Sequence, residues 1–217
     1  MLDSTLITDP YIYLEDNILS EVRCKEIIDK FNNDRQVAGV TGKGIDTDIK
    51  DSKDMHLSFA EQDWSEEDKL FSEIIARGHN NYYEHLNRES NFIHFTNPRN
   101  RHLYGPHHDR NLELFDTGYQ IQKTEPGKGY VWHDDFMLIT DELRYLTFIL
   151  YLNSVEEGWT QFYNGDQISP KAGRLIFFPA TWTYVHQGYP PKQTKYLMTG
   201  WMHTKTKTDN NGKTWTR

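Results

Sequence analysis

His133 and Asp135 close the segment Tyr130-Val-Trp-His-Asp-Asp-Phe136, two positions apart at the end of a stretch that reads as a β-strand. Strand side chains alternate, so both point to the same face. An imidazole and a carboxylate converging on one side of a sheet supply two donors of a facial metal site. A second imidazole from a distant strand would complete it and leave coordination positions open. His186, just beyond Leu175-Ile-Phe-Phe-Pro179, is the candidate for that third donor. Two imidazoles and one carboxylate suit iron(II), although zinc accepts the same donors. A rival pair, His107-His-Asp109, follows Gly105-Pro106 and sits on no alternating strand. It reads as a polar loop.

Lys195 opens the next strand, Lys195-Tyr-Leu-Met-Thr-Gly-Trp201, and alternation puts Lys195, Leu197, Thr199 and Trp201 on one face. If that face lines the interior, the lysine is a buried cation, which is costly without a partner. No acidic residue lies in the strand, so an anionic ligand is the simplest partner. The alternative is a lysine at the rim with its amine in water. Tyr151 shares a face with Thr147 and Ile149 and is placed to donate to the same anion. Its plainer reading is a core aromatic.

The elements that must position these residues follow from periodicity. Ser20 reads as an N-cap, and Cys24, Ile27, Ile28 and Phe31 make one buried helical stripe. Ser65-Glu-Glu-Asp68 opens a second helix whose apolar face is Phe71, Ile74, Ile75, Tyr82 and Leu86. Between the helices, Ile45 to Lys53 is charged and mixed and reads as a solvated connection or a loop near a binding site. Met55-His-Leu-Ser-Phe59 alternates like a strand. From Asn91 onward short strands and turns alternate: Phe92–Phe95, Gly118–Lys123, Tyr130–His133, Tyr145–Leu152, Leu175–Phe178 and Lys195–Trp201. The apolar run Tyr145–Leu152 reads as a central strand covered on both faces. The expectation is a mostly β protein with flanking helices: one domain, with helical support over about 1–90, a strand-rich body over 91–203 and a polar tail over 204–217.

Composition narrows the function classes. A net charge of -8 opposes binding driven by phosphate neutralisation, so nucleic acid is an unlikely partner. One cysteine, Cys24, leaves no internal disulfide and suits a reducing compartment. No apolar run approaches the roughly 20 residues that span a bilayer. The start of the chain lacks a basic segment followed by an apolar one, so the sequence reads as cytoplasmic.

The strings Glu125-Pro-Gly-Lys-Gly-Tyr-Val-Trp-His-Asp-Asp135, Phe148-Ile-Leu-Tyr-Leu-Asn153, Pro170-Lys-Ala-Gly-Arg-Leu-Ile-Phe-Phe-Pro179, His186 and Lys195–Trp201 together resemble the 2-oxoglutarate- and Fe(II)-dependent dioxygenases. The resemblance is closest to the prolyl-4-hydroxylase-like branch and runs from Gly118 to Met202. It implies a double-stranded β-helix (jelly-roll) core with iron held by His133, Asp135 and His186. It further implies 2-oxoglutarate chelating that iron, its distal carboxylate paired with Lys195 and assisted by Tyr151 and Thr199, and O2 as co-substrate. Two positions depart from the branch: Thr124 replaces a tyrosine before Glu125-Pro-Gly127, and Trp159 stands at a usual acid. Gln120, Gln122 and Thr124 share a face, and Gln122 is a substitute cofactor contact. Asp135 favours hydroxylation over halogenation, because no halide takes its place on iron.

The branch implies a prolyl residue in a peptide or protein as substrate. A free amino acid, another metabolite or a nucleobase is the alternative. Trp132, Trp159, Trp182, Arg144, Arg174, His107 and His108 are candidate substrate contacts. Two competing readings are a cupin-like metalloprotein that does not use 2-oxoglutarate and a non-catalytic jelly-roll binding module.

Overall fold

The computed structural model describes residues 3–57, 62–88, 114–139 and 142–205. The expected strand Phe92–Phe95, the His107-His-Asp109 segment, the end of Met55–Phe59 and the tail from 206 lie outside these residues.

The strands in chain order are β1 (Tyr13–Glu15), β2 (Val37–Ala38), β3 (Lys53–His56), β4 (Leu114–Asp116), β5 (Gln120–Thr124), β6 (Tyr130–His133) and β7 (Leu138–Ile139). There follow β8 (Glu142–Tyr151), β9 (Thr160–Phe162), β10 (Gln167–Ile168), β11 (Arg174–Pro179), β12 (His186–Gly188) and β13 (Lys195–Lys205). They form two antiparallel sheets. The larger runs β1-β11-β8-β13-β5-β3-β2, with β4 also on β13 and β7 on β8. The smaller runs β10-β9-β12-β6. This is the jelly-roll expected, mostly β with flanking helices.

Two-residue alternation divides the large sheet between two cores. Leu146, Phe148 and Leu150 of β8 and Leu152 just after it, with Leu175 and Phe177 of β11, pack on the helix side. Ile149 and Tyr151, with Ile176, Phe178 and Leu197, pack between the two sheets. The apolar run of β8 is therefore covered on both faces, as expected of a central strand.

Helix α1 (Glu21–Asn32) starts at Ser20, whose hydroxyl accepts from the Arg23 N–H at 3.2 Å. Helix α2 (Ser65–Arg88) carries Glu67, a buried acid that accepts from Arg23 at 2.8 Å and Lys30 at 2.5 Å of α1. Gly78 lets α2 lie close on β11, because a Cβ there would come within 2.5 Å of Leu175 Cδ2. Strand β13 runs past the expected tail boundary at 204: Thr204 and Lys205 pair with Leu143 and Glu142 of β8. Backbone pairing does not require apolar side chains, so the loss of hydrophobic pattern did not mark the strand's end.

Candidate metal centre

His133 ends β6 and His186 opens β12, directly opposite in register. Gly188 pairs with Tyr130, so β6 has one residue more than β12 between the two pairs. That β-bulge breaks strict alternation. Tyr130 and His133 both face the inter-sheet cavity although they are three residues apart, and their rings stack with centroids 3.5 Å apart. Trp132 is displaced to the outer surface, 42% exposed, where it meets the Tyr163 ring edge-on.

Asp135 follows the strand. Its carboxylate oxygens lie 3.9 Å from His133 Nε2 and 3.6 Å from His186 Nε2, and the three donor atoms sit within 4.8 Å of one another. Each imidazole is oriented by a backbone carbonyl: His133 Nδ1 is 2.7 Å from Val131 O, and His186 Nδ1 is 2.9 Å from Tyr184 O. A carbonyl only accepts, so each Nδ1 donates its proton there and each Nε2 faces inward. Thr147 Oγ1 donates to Asp135 Oδ2 at 2.7 Å and sets the carboxylate's rotation. Burial, with the neighbouring His186, pushes the His133 imidazolium down to about 4, so the ring is neutral at pH 7. Burial alone would raise Asp135, but the two imidazoles and the Thr147 bond outweigh it and keep the carboxyl below its usual range. Two imidazoles and an ionised carboxylate facing one point fit a divalent cation such as iron(II).

The cavity beside these donors has the wall that alternation predicted. Lys195, Leu197, Thr199 and Trp201 of β13 all line it, with Thr147 and Ile149 of β8 and Gln122 and Thr124 of β5. Lys195 is only 3% exposed, and burial pulls its ammonium down to about 8. Its hydrogen bond is to Gly158 O at 2.7 Å, and no carboxylate lies within ion-pair reach among the described residues. Glu157 and Gly158 both hold left-handed backbone, φ 60° and 68°. A Cβ on Gly158 would come 2.7 Å from Pro191 Cβ, so glycine is required at that turn. At Gly188 a Cβ would reach within 3.9 Å of Lys195 Nζ, and its absence keeps space open beside the ammonium. An uncompensated buried cation with two unused N–H groups fits one carboxylate of a small dicarboxylic acid.

Other expected contacts are placed differently. Tyr151 is on the predicted face but lies deeper than the cavity wall. Its hydroxyl bonds Thr160 Oγ1 at 2.6 Å, and it is Thr160 that lines the cavity. Thr199 lines the cavity while donating to Phe148 O at 2.8 Å, so only its oxygen lone pairs remain for a ligand. Arg174 is buried among Asp16, Asp3 and Thr5, where it fastens the first residues of the chain to β11. Trp159 stacks on Tyr189 and lines a separate hollow, and Trp182 is on the outer surface. Arg144 lies over the Trp201 ring at 3.6 Å and braces a wall residue without lining the cavity itself.

Lys50 and Ser52 also line the cavity. Their segment zips onto β6 through Val131 N–H to Ile49 O and Asp51 N–H to Gly129 O, both 3.0 Å. The run Ile45 to Lys53 offered no periodicity by which to place it there.

Residues 119–203 match the model of the 2OG-Fe(II) oxygenase superfamily. No curated protein matches the chain. Among solved structures, a prolyl hydroxylase from Trichoplax adhaerens in complex with a hypoxia inducible factor oxygen degradation domain peptide is 18% identical, with a TM-score of 0.64 over 89% of this chain and 83% of that one. The viral collagen prolyl hydroxylase of Paramecium Bursaria Chlorella virus-1, in complex with 2-oxoglutarate, is 21% identical, with a TM-score of 0.56 over 89% and 96% of the two chains. A Pseudomonas putida prolyl-4-hydroxylase is 15% identical, with a TM-score of 0.55 over 88% and 91%. At these identities the likeness establishes a shared fold. The matched segment, fewer than half of the 217 residues, spans the strands that carry the triad and the buried lysine.

Proposed function

We propose that His133, Asp135 and His186 hold iron(II), that Lys195 holds the distal carboxylate of 2-oxoglutarate, and that the chain hydroxylates a C–H bond of a prolyl residue in a peptide, with succinate and CO2 as co-products. The observation that carries this reading is Lys195, a buried ammonium with no acid beside it among the described residues, in the same cavity as the three candidate metal donors. When bound, iron and 2-oxoglutarate supply O2 activation coupled to oxidative decarboxylation.

The chain's own residues orient and enclose. Val131 and Tyr184 carbonyls fix the imidazoles, and Thr147 fixes Asp135. Lys195 takes the far carboxylate, with Gln122, Thr124, Thr160 and Thr199 as polar neighbours. Ile149 and Leu197 form the dry part of the wall and keep water from the reacting centre. Tyr151 supports Thr160 from behind. Tyr130 and Trp201 present aromatic surface to the cavity, which suits the apolar ring of proline. The likeness in fold to prolyl hydroxylases, one of them bound to a peptide, supports the same substrate class.

The test begins without oxygen: Fe(II) plus 2-oxoglutarate should give a visible charge-transfer band. Admitting O2 should form succinate, and a capped prolyl peptide should gain one oxygen by mass. Lys195→Ala should raise the KM for 2-oxoglutarate by about 100-fold, the loss of a charge-assisted pair. A cupin-like metalloprotein that does not use 2-oxoglutarate would give no such band and would be indifferent to that change. A non-catalytic module would bind without turnover.

A further inference from the structure

Two lysines reach this one cavity, and they differ in what stands beside them. Lys195 has no acid. The Lys50 ammonium lies 2.6 Å from Asp54 Oδ2, and the pair is buried, 5% and 1% exposed. Asp54 also accepts from Ser52 Oγ at 2.8 Å and Gln120 Nε2 at 2.5 Å. Three donors on one carboxylate fix it in place and leave it little capacity for a ligand. Lys50 is held as firmly. A Cβ on Gly39 would come 3.1 Å from Lys50 Cε and 2.4 Å from Ser52 Oγ, so a glycine is needed behind both side chains. The ammonium sits 5.7 Å from the centre of the Tyr130 ring, which itself stacks on His133. Lys50 therefore overlooks the metal side of the cavity.

Charge decides what its remaining N–H groups take. An ammonium has three donors, and Asp54 is the only acceptor Lys50 meets among the described residues. An uncompensated cation such as Lys195 calls for an anion. Lys50 is already balanced by Asp54, so a second carboxylate would leave buried negative charge in excess. A neutral carbonyl adds a hydrogen bond without that charge.

We infer that Lys50 is a specificity-determining residue that donates to an amide carbonyl of the substrate, with Asp54 as its positioning residue, so that the cavity takes a residue embedded in a peptide and refuses the free amino acid. The inference rests on the dioxygenase reading above and names the class of substrate for that site.

The test uses the iron- and 2-oxoglutarate-loaded protein with two probes, a short capped peptide with a central proline and free L-proline. Lys50→Met combined with Asp54→Asn removes the donor without leaving a buried charge unpaired. The peptide KM should rise about 10- to 100-fold, the worth of a hydrogen bond from a charged donor. The KM for 2-oxoglutarate should move by less than about threefold, and Lys50→Arg should restore most of the peptide KM. If the double variant does not fold, Lys50→Gln, which still donates to Asp54, should show the same split. A merely structural pair would lower the melting temperature without separating the two KM values. An unchanged peptide KM in a folded variant overturns the inference, as does free L-proline serving as well as the peptide, or no oxygen gained by the peptide. In each of those cases a normal anaerobic charge-transfer band shows that the dioxygenase reading survives. Absence of the band in the unaltered protein removes both.

Discussion

At the scale of single residues, Lys195 is a group whose charge state would follow the anion proposed for it. Burial draws the Lys195 ammonium from its ordinary 10.5 to about 8 in the ligand-free protein. A bound carboxylate favours the charged form and restores it. The kcat/KM for 2-oxoglutarate, which reports the free protein, should therefore fall as pH rises through about 8, while kcat holds to higher pH. The same depression has a sign for stability. The cost of burying the charge is fully present below about pH 8 and is relieved between 8 and 10.5, where the unfolded chain holds more protons than the folded one. The Lys195 contribution should thus favour folding increasingly across that window, and Lys195→Met should abolish the trend. Parallel pH profiles of kcat/KM, kcat and urea midpoint check all three. A kcat/KM that stays flat from pH 7 to 10 would contradict the assignment of Lys195 as the anion partner.

At the scale of elements, the candidate metal donors depend on how closely β6 approaches β12. Gly129, just before β6, has room for no side chain: a Cβ would stand 2.5 Å from Gly188 O. Gly129→Ala should push the two strands apart, costing about 1–3 kcal/mol, as overpacking does. It should also weaken metal binding by separating His133 from His186. Thermal melting with cobalt(II) titration reads both, and an alanine variant that binds metal as tightly as the parent would show the strands free to adjust.

The same scale shows what was legible in the sequence. Alternation identified the four cavity residues of β13, because that strand pairs in unbroken register from Lys195 to Trp201. It also put Tyr151 on the correct face, but a face carries no information on how far along the strand the hollow extends. The bulge in β6 was hidden, since it arises from pairing with β12, and Trp132 consequently lies outside. Lys50 was illegible for a related reason. Its position depends on Gly39, β6 and Asp54, and a lysine four residues before an aspartate in a charged run looks like a solvated pair.

At the scale of the whole molecule, the two sheets are unequal. The large sheet has helices on one face and the small sheet on the other, with long strands β8 and β13 fully paired. The small sheet has strands of two to four residues, and β9 and β12 expose Gln161 and Gln187 to each other on its outer side. Few contacts resist its opening. Amide hydrogen exchange should therefore be fastest in β6, β9 and β12, and cobalt(II) with 2-oxoglutarate should slow exchange there while leaving β8 and β11 unchanged. Uniform protection of both sheets would contradict this.

The register of His133 against His186 has a consequence for how the molecule is assembled. Both imidazoles belong to the weaker sheet, whereas Thr147, which steadies Asp135, belongs to the stronger one. An ion held by this triad would act as a clasp joining the two layers at the open end of the sandwich. Chelation would then release one sheet edge locally and leave the rest of the domain folded.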